Sequence, residues 1–224
     1  IGISNNIEKT LLWFVNIILS YSNEINKYVE CRDDFENYIL CDELEKAEDV
    51  LDYIDSNICV SFWSLKNRLL INNLKGGVSQ QKYIESLHLS KYMESIALIF
   101  ANMTDISDDY YIYNKKINYL IKDLQLSCKM YYKHLFSSNI NYEKKELKDF
   151  LFLVSLNSIV DIYNSIIDLF RNDAFDIYLS NTVKLLNTNI LDHRLNSVAI
   201  LNGDNEFSIN DEIIELLLKF QENC

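Results

Sequence analysis

Two polar pairs have the residue types and spacing for chemistry. Glu85 and His88 in "ESLH" stand three apart, so on a helix a carboxylate and an imidazole would share a face, half the ligand set of a di-iron carboxylate bundle. A full set needs a second such pair and two further glutamates. His134 and His193 have no glutamate three positions before them, so Glu85 and His88 read as an ordinary amphipathic pair. Asp192-His193 reverses the order of a metal-binding His-Asp pair, and no HExxH, GxSxG or phosphate-loop motif occurs.

The remaining candidates for chemistry fall short in the same way. The stretch "LNGDNEFSINDEI" alternates carboxylates and amides like a calcium loop. Counted from Asn202, its sixth position is Phe207 rather than glycine and its twelfth is Ile213 rather than glutamate, so a polar turn is expected. Asp161 and Asp168 lie about 10 Å apart if helical, and with Asn157 and Asn164 they read as a solvated stripe. None of Arg68, Arg171 and Arg194 is followed on its helix by histidine in the manner of compact helical ribonucleases. Three histidines leave little material for acid-base work, so no catalytic, metal-binding or cofactor-binding residue is assigned and no cofactor is expected.

Charge is the more informative signal. Between Glu24 and Asp55 acids dominate, and Asp49, Asp52 and Asp55 recur along one helix. From Lys115 to Lys148 the balance turns basic. Lys115, Lys122, Lys129 and Lys133 fall on one helical face, bordered by tyrosines that include Tyr119 and Tyr132. These two groups, the lysines with Tyr132 and the three aspartates, are the expected partner-binding surfaces. The partner is another protein or a second copy of the chain. Nucleic acid ranks lower, because the net charge is −12 and arginine is scarce.

A chain of 224 residues can bury a core without staples. The absence of proline and the presence of only four glycines favour long helices over a sandwich or barrel. Five cysteines without metal-ligand spacing suggest reduced thiols and a cytoplasmic protein. The most apolar run, "LLWFVNIIL", is shorter than the ~20 residues a membrane span needs, so no membrane association is expected. The residue usage suggests A/T-rich coding, and a bacterial source is expected. The chain begins at Ile1 rather than Met, so a processed chain or a piece of a longer protein is expected.

These residues must be positioned by helices. Apolar spacing predicts one helix over 6–29 and a second over 42–57 with Leu44, Ala47, Leu51 and Ile54 on one side. A third is predicted over 61–75 with Trp63, Leu70 and Leu74 inward. Gly76 is then expected as a left-handed stop and Ser79 as the next N-cap. A long helix follows from Ser107 to Leu135, then a central one from Tyr142 to Arg171 that is apolar nearly all round between Phe150 and Leu156, and a final pair ends at Gly203 before Ser208 caps a last helix. Helix, glycine stop and polar restart recur in "LKNRLLINNLKGG" and "HRLNSVAILNGD". With Ala47 as a small contact residue, this resembles tetratricopeptide-like helical repeats over 42–87 and 174–220, without their terminal proline or a 34-residue recurrence.

The expectation is a single all-α domain over 1–224, built from antiparallel helical hairpins in a solenoid-like or irregular bundle. It would serve as a noncatalytic interaction or scaffolding module in a cytosolic assembly. The alternatives are a nucleic-acid-associated or nucleolytic component of a bacterial defence system, and a helical subdomain of a larger enzyme.

Overall fold

The computed structural model describes residues 7–89, 91–104, 115, 118–119, 122, 150–171, 183 and 185–195. The fold is all-α: every regular element among the described residues is helical. These are α1 (Ile7–Ser20), α2 (Ser22–Leu40), α3 (Leu44–Asn57), α4 (Phe62–Leu74), α5 (Gln80–Ser86), α6 (Lys91–Thr104) and α7 (Ile159–Arg171). The chain divides into two compact units, Lys27–Ile162 and the pair of segments Ile1–Asn26 and Tyr163–Cys224.

Within the unit Lys27–Ile162, α4 packs against α3, α5 and α6. Ala47 and Leu51 of α3 close on Phe35 of α2 and Ile71 of α4, and the methyl-sized Ala47 leaves room for the neighbouring helices. Trp63 stands edge-on to Tyr28 and Phe35, with ring centroids 5.2 and 5.3 Å away. Such edge-to-face pairs orient as well as bury.

The α4 face differs from the expected one. Phe62, Leu65, Leu69 and Ile71 are buried, whereas Trp63 and Leu70 are half-buried and Leu74 is exposed. The first-turn Phe62 is enclosed, while Trp63 packs against the core cluster from a half-buried position. The predicted helix over 6–29 is also divided, because the chain turns at Tyr21 between α1 and α2. The Ser20 hydroxyl donates to the Asn16 carbonyl at 2.8 Å, a back-bond of the kind that bends helices.

Both connections flanking α3 and α4 end helices in the same way. After α4, the Gly77 amide donates to Asn72 O and the Gly76 amide to Asn73 O, both at 3.0 Å, with Gly76 at φ +59°. This pair of bonds is a Schellman motif, so the glycines form the expected C-terminal stop. After α2, Glu43 donates to Tyr38 O and Asp42 to Ile39 O, with Asp42 at φ +60°. The same motif is thus closed there by a residue that has a Cβ. Ser79 takes the N-cap position of α5 without a side-chain bond to the helix. Gln80 makes the tie instead, donating to Leu69 O at 2.9 Å.

The stretch read as one central helix breaks at 155–158. Residues 150–154 are helical, a turn follows, and α7 starts at Ile159. Ser158 makes the break: its hydroxyl accepts from the Asp161 amide at 3.2 Å, and its carbonyl accepts from Ile162 N at 2.9 Å. Phe150, Leu151 and Val154 are buried, but Phe152 and Leu156 are exposed, so this segment is not wrapped on all sides.

In the other unit, Leu11, Phe14, Val15 and Ile18 of α1 are buried, as are Ile166 and Ile167 of α7 and Leu186, Ile190 and Leu195. The Asn26 side chain accepts from Leu191 N at 2.8 Å and donates to Asn189 O at 2.9 Å. One side-chain amide thereby satisfies two backbone groups of the 189–191 segment. The long predicted helix from Ser107 to Leu135, apart from positions 115, 118–119 and 122, lies outside the described residues, as do Gly203, Ser208 and the "LNGDNEFSINDEI" stretch.

Candidate functional site

Lys115 and Lys122 are exposed, and Tyr119 between them is 77% exposed. The Lys122 amide donates to Tyr119 O at 3.2 Å, a turn that holds ring and ammonium close in the chain. Lys129, Lys133 and Tyr132 lie outside the described residues.

The three aspartates of α3 do not share one environment. Asp49 is exposed. Asp52 and Asp55 are gathered by Arg68 of α4, which donates from Nη2 to Asp52 Oδ1 at 2.7 Å and from Nε and Nη2 to Asp55 Oδ2 at 2.9 and 2.7 Å. Burial opposes the guanidinium charge, but the bonds to Asp52 and Asp55 outweigh it and raise the Arg68 pKa further. The ion pair ties α3 to α4, as does Lys75, whose Nζ lies 2.7 Å from Glu48 Oε2. Arg68 and Lys75 thus fasten α3 to α4.

An open groove of about 360 Å³ lies between α2 and α3. Lys27 and Lys46 border it, and both are already neutralised. Lys27 bonds Glu30 at 3.0 Å and Lys46 bonds Glu43 at 2.6 Å. Each ammonium also stands over a groove tyrosine, Lys27 at 5.8 Å from the Tyr53 ring centroid and Lys46 at 5.4 Å from that of Tyr38. Asp34 and Asp49 complete the charged lining. Among the described residues neither has a hydrogen-bond or ion-pair partner.

Among the described residues two carboxylates are buried, and one of them, Asp161, was expected in a solvated stripe. Asp161 is 7% exposed. It accepts from the Phe62 amide at 2.9 Å, the Trp63 amide at 3.2 Å and the Ser158 hydroxyl at 2.8 Å. Ser61 and Ser64 add a reciprocal capping box, so the first amides of α4 are all satisfied. Burial pushes the Asp161 carboxyl up to about 6, against the pull of those three donors. Asp168, its supposed companion in a solvated stripe, is exposed. The signal for Asp161 was present in "SIVD", a serine followed three residues later by an acid ahead of an apolar run.

Asp192 is likewise buried and accepts from the Tyr163 hydroxyl at 2.8 Å and from Arg194 Nε and Nη2 at 3.0 and 2.8 Å. Arg194 extends to Asn164 Oδ1 at 3.2 Å and lies over the Tyr163 ring. His193 points outward, its Nδ1 4.0 Å from Asp192 Oδ1, too far for the hydrogen bond that would orient a catalytic imidazole. The cluster is a clamp on the turn that follows Ile190.

Glu85 and His88 do not form a helical pair. Helix α5 ends at Ser86, and His88 lies beyond it with φ +48°. Among the described residues no group of three or more His, Cys, Asp or Glu could hold a metal ion. Burial raises the pKa of Cys31 and of Cys59, which keeps both as thiols and weak nucleophiles. No helix among the described residues is long and apolar enough to cross a membrane.

The fold and these surfaces define an all-α protein, and the comparisons add no narrower class. No family model, no curated protein and no solved structure matches the chain.

Proposed function

We propose that this chain is a noncatalytic protein-interaction module that works through charged helical faces. The observation that carries the proposal is the exposure of opposite charges on separate segments. Lys115 and Lys122 flank an exposed Tyr119, while Asp49 stands exposed on α3. Tyrosine beside charge suits a protein interface, because the ring supplies contact area at low entropic cost. Arg68 is committed to Asp52 and Asp55, and the ammoniums of Lys27 and Lys46 have acidic partners. Of the described charges on the two predicted faces, those of Lys115, Lys122 and Asp49 therefore remain available to a partner.

In this reading the hairpin of α3 and α4 is one unit of a solenoid-like array in a cytosolic assembly, and Lys129, Lys133 and Tyr132 extend the basic face. The test is charge reversal of Lys115, Lys122, Lys129 and Lys133 to glutamate, followed by sizing and pull-down against the native chain. Unchanged association would discard the reading. A gel shift against RNA and DNA separates the nucleic-acid alternative, which demands binding that weakens steeply as salt rises.

A further inference from the structure

We infer that the α2–α3 groove is a docking site for an arginine- or lysine-bearing segment of a basic partner protein. This deepens the proposed function and rests on it. The lining is of mixed character, with Val50 and two tyrosines beside four charged groups. Its charge, however, is unbalanced. Lys27 and Lys46 are offset by Glu30 and Glu43, so Asp34 and Asp49 leave a net surplus of two negative charges at the groove. Each carboxylate is exposed and lacks a partner among the described residues, so neither must break a bond to accept one.

The tyrosines point to the same ligand chemistry. Each ring already holds a lysine ammonium 5.4 to 5.8 Å from its centroid, so the groove tyrosines take part in cation–π contacts. A planar guanidinium can border these rings and pair with Asp34 or Asp49 by two parallel bonds. A leucine or similar side chain between two cations would cover Val50.

Net charge decides between partners. A second copy carries the same −12, and two such bodies repel at long range, whereas a basic protein is drawn in. The groove therefore belongs to a partner of opposite charge.

The experiment uses the full chain and fluorescence anisotropy at about 50 mM salt, where exposed charges are weakly screened. The probe is a fluorescein-labelled peptide with arginines on either side of a leucine, and its twin carries glutamates in their place. The arginine peptide should bind and its twin should not. The double variant Asp34→Asn with Asp49→Asn should weaken binding about tenfold, the sum of two exposed charge pairs. Asp42→Asn, which removes one negative charge from the α2–α3 connection outside the groove lining, should leave binding unaltered.

Three results would overturn the inference: no binding of the arginine peptide, equal binding by the double variant, or displacement by spermine as effective as by unlabelled peptide. If any of them occurs while reversal of the lysine face still abolishes association, the groove is refuted and the interaction module stands. If the lysine reversals also change nothing, the module itself fails.

Discussion

Asp161 Oδ2 accepts a hydrogen bond from the Phe62 amide 2.9 Å away, across 99 residues of chain. The contact joins the start of α7 to the start of α4, and Asp161 Oδ1 holds the next amide, that of Trp63. A carboxylate at a helix N-terminus satisfies orphan donors and meets the positive end of the dipole. Replacing it with alanine should cost about 1–2 kcal/mol, the range for a lost cap, read as a lower midpoint in urea unfolding.

The same carboxyl sets a pH dependence. Its folded pKa, about 6, lies above the ordinary 3.8, so between those values the folded chain binds the extra proton. Its contribution to stability is therefore full below pH 4 and is lost as pH rises through 6. Urea midpoints of the native chain minus those of Asp161→Asn should fall between pH 4 and pH 7. A difference that stays flat, or rises, contradicts this assignment.

Arg68 tests the contact between α3 and α4. Asp55 is only 17% exposed at its side chain and its Oδ1 is buried without a partner, so the carboxylate depends on the guanidinium beside Oδ2. Arg68→Met should destabilise by about 1–3 kcal/mol, because it leaves that charge unpaired in a partly dry place. Asp52 is 64% exposed, and Asp52→Ala should cost less than about 1 kcal/mol. Thermal unfolding of both variants checks the order of the two effects.

The two Schellman stops give opposite expectations for glycine. Gly76 holds φ +59°, so Gly76→Ala should lower stability by about 1 kcal/mol although a Cβ there meets open space. Asp42 holds φ +60° with a side chain, so Asp42→Gly should raise stability by up to about 1 kcal/mol. Calorimetric midpoints that move in the same direction for both would contradict the shared motif.

Legibility in the sequence followed the range of the interaction. Gly76 and the extents of α3 and α4 could be read locally, because capping and apolar period act within a few residues. The break at Ser158 was local too, in "SIVD", but the apolar run around it masked the signal. The division of Asp49 from Asp52 and Asp55 was not legible, since it depends on Arg68 from the next helix. The burial of Asp161 and Asp192 was hidden for the same reason: their partners Phe62, Trp63 and Tyr163 come from distant segments. Charge spacing alone cannot separate a carboxylate that serves the fold from one left for a partner.

The central claim is that charged outer faces recruit another protein. Its most direct test is quantitative co-purification by the native full chain and by the variant with Lys115, Lys122, Lys129 and Lys133 all changed to glutamate, with equal helicity verified by circular dichroism. The account predicts a defined protein partner retained by the native chain, lost on reversal and weakened by salt. Equal recovery by both chains, or recovery that disappears after nuclease treatment, would contradict it.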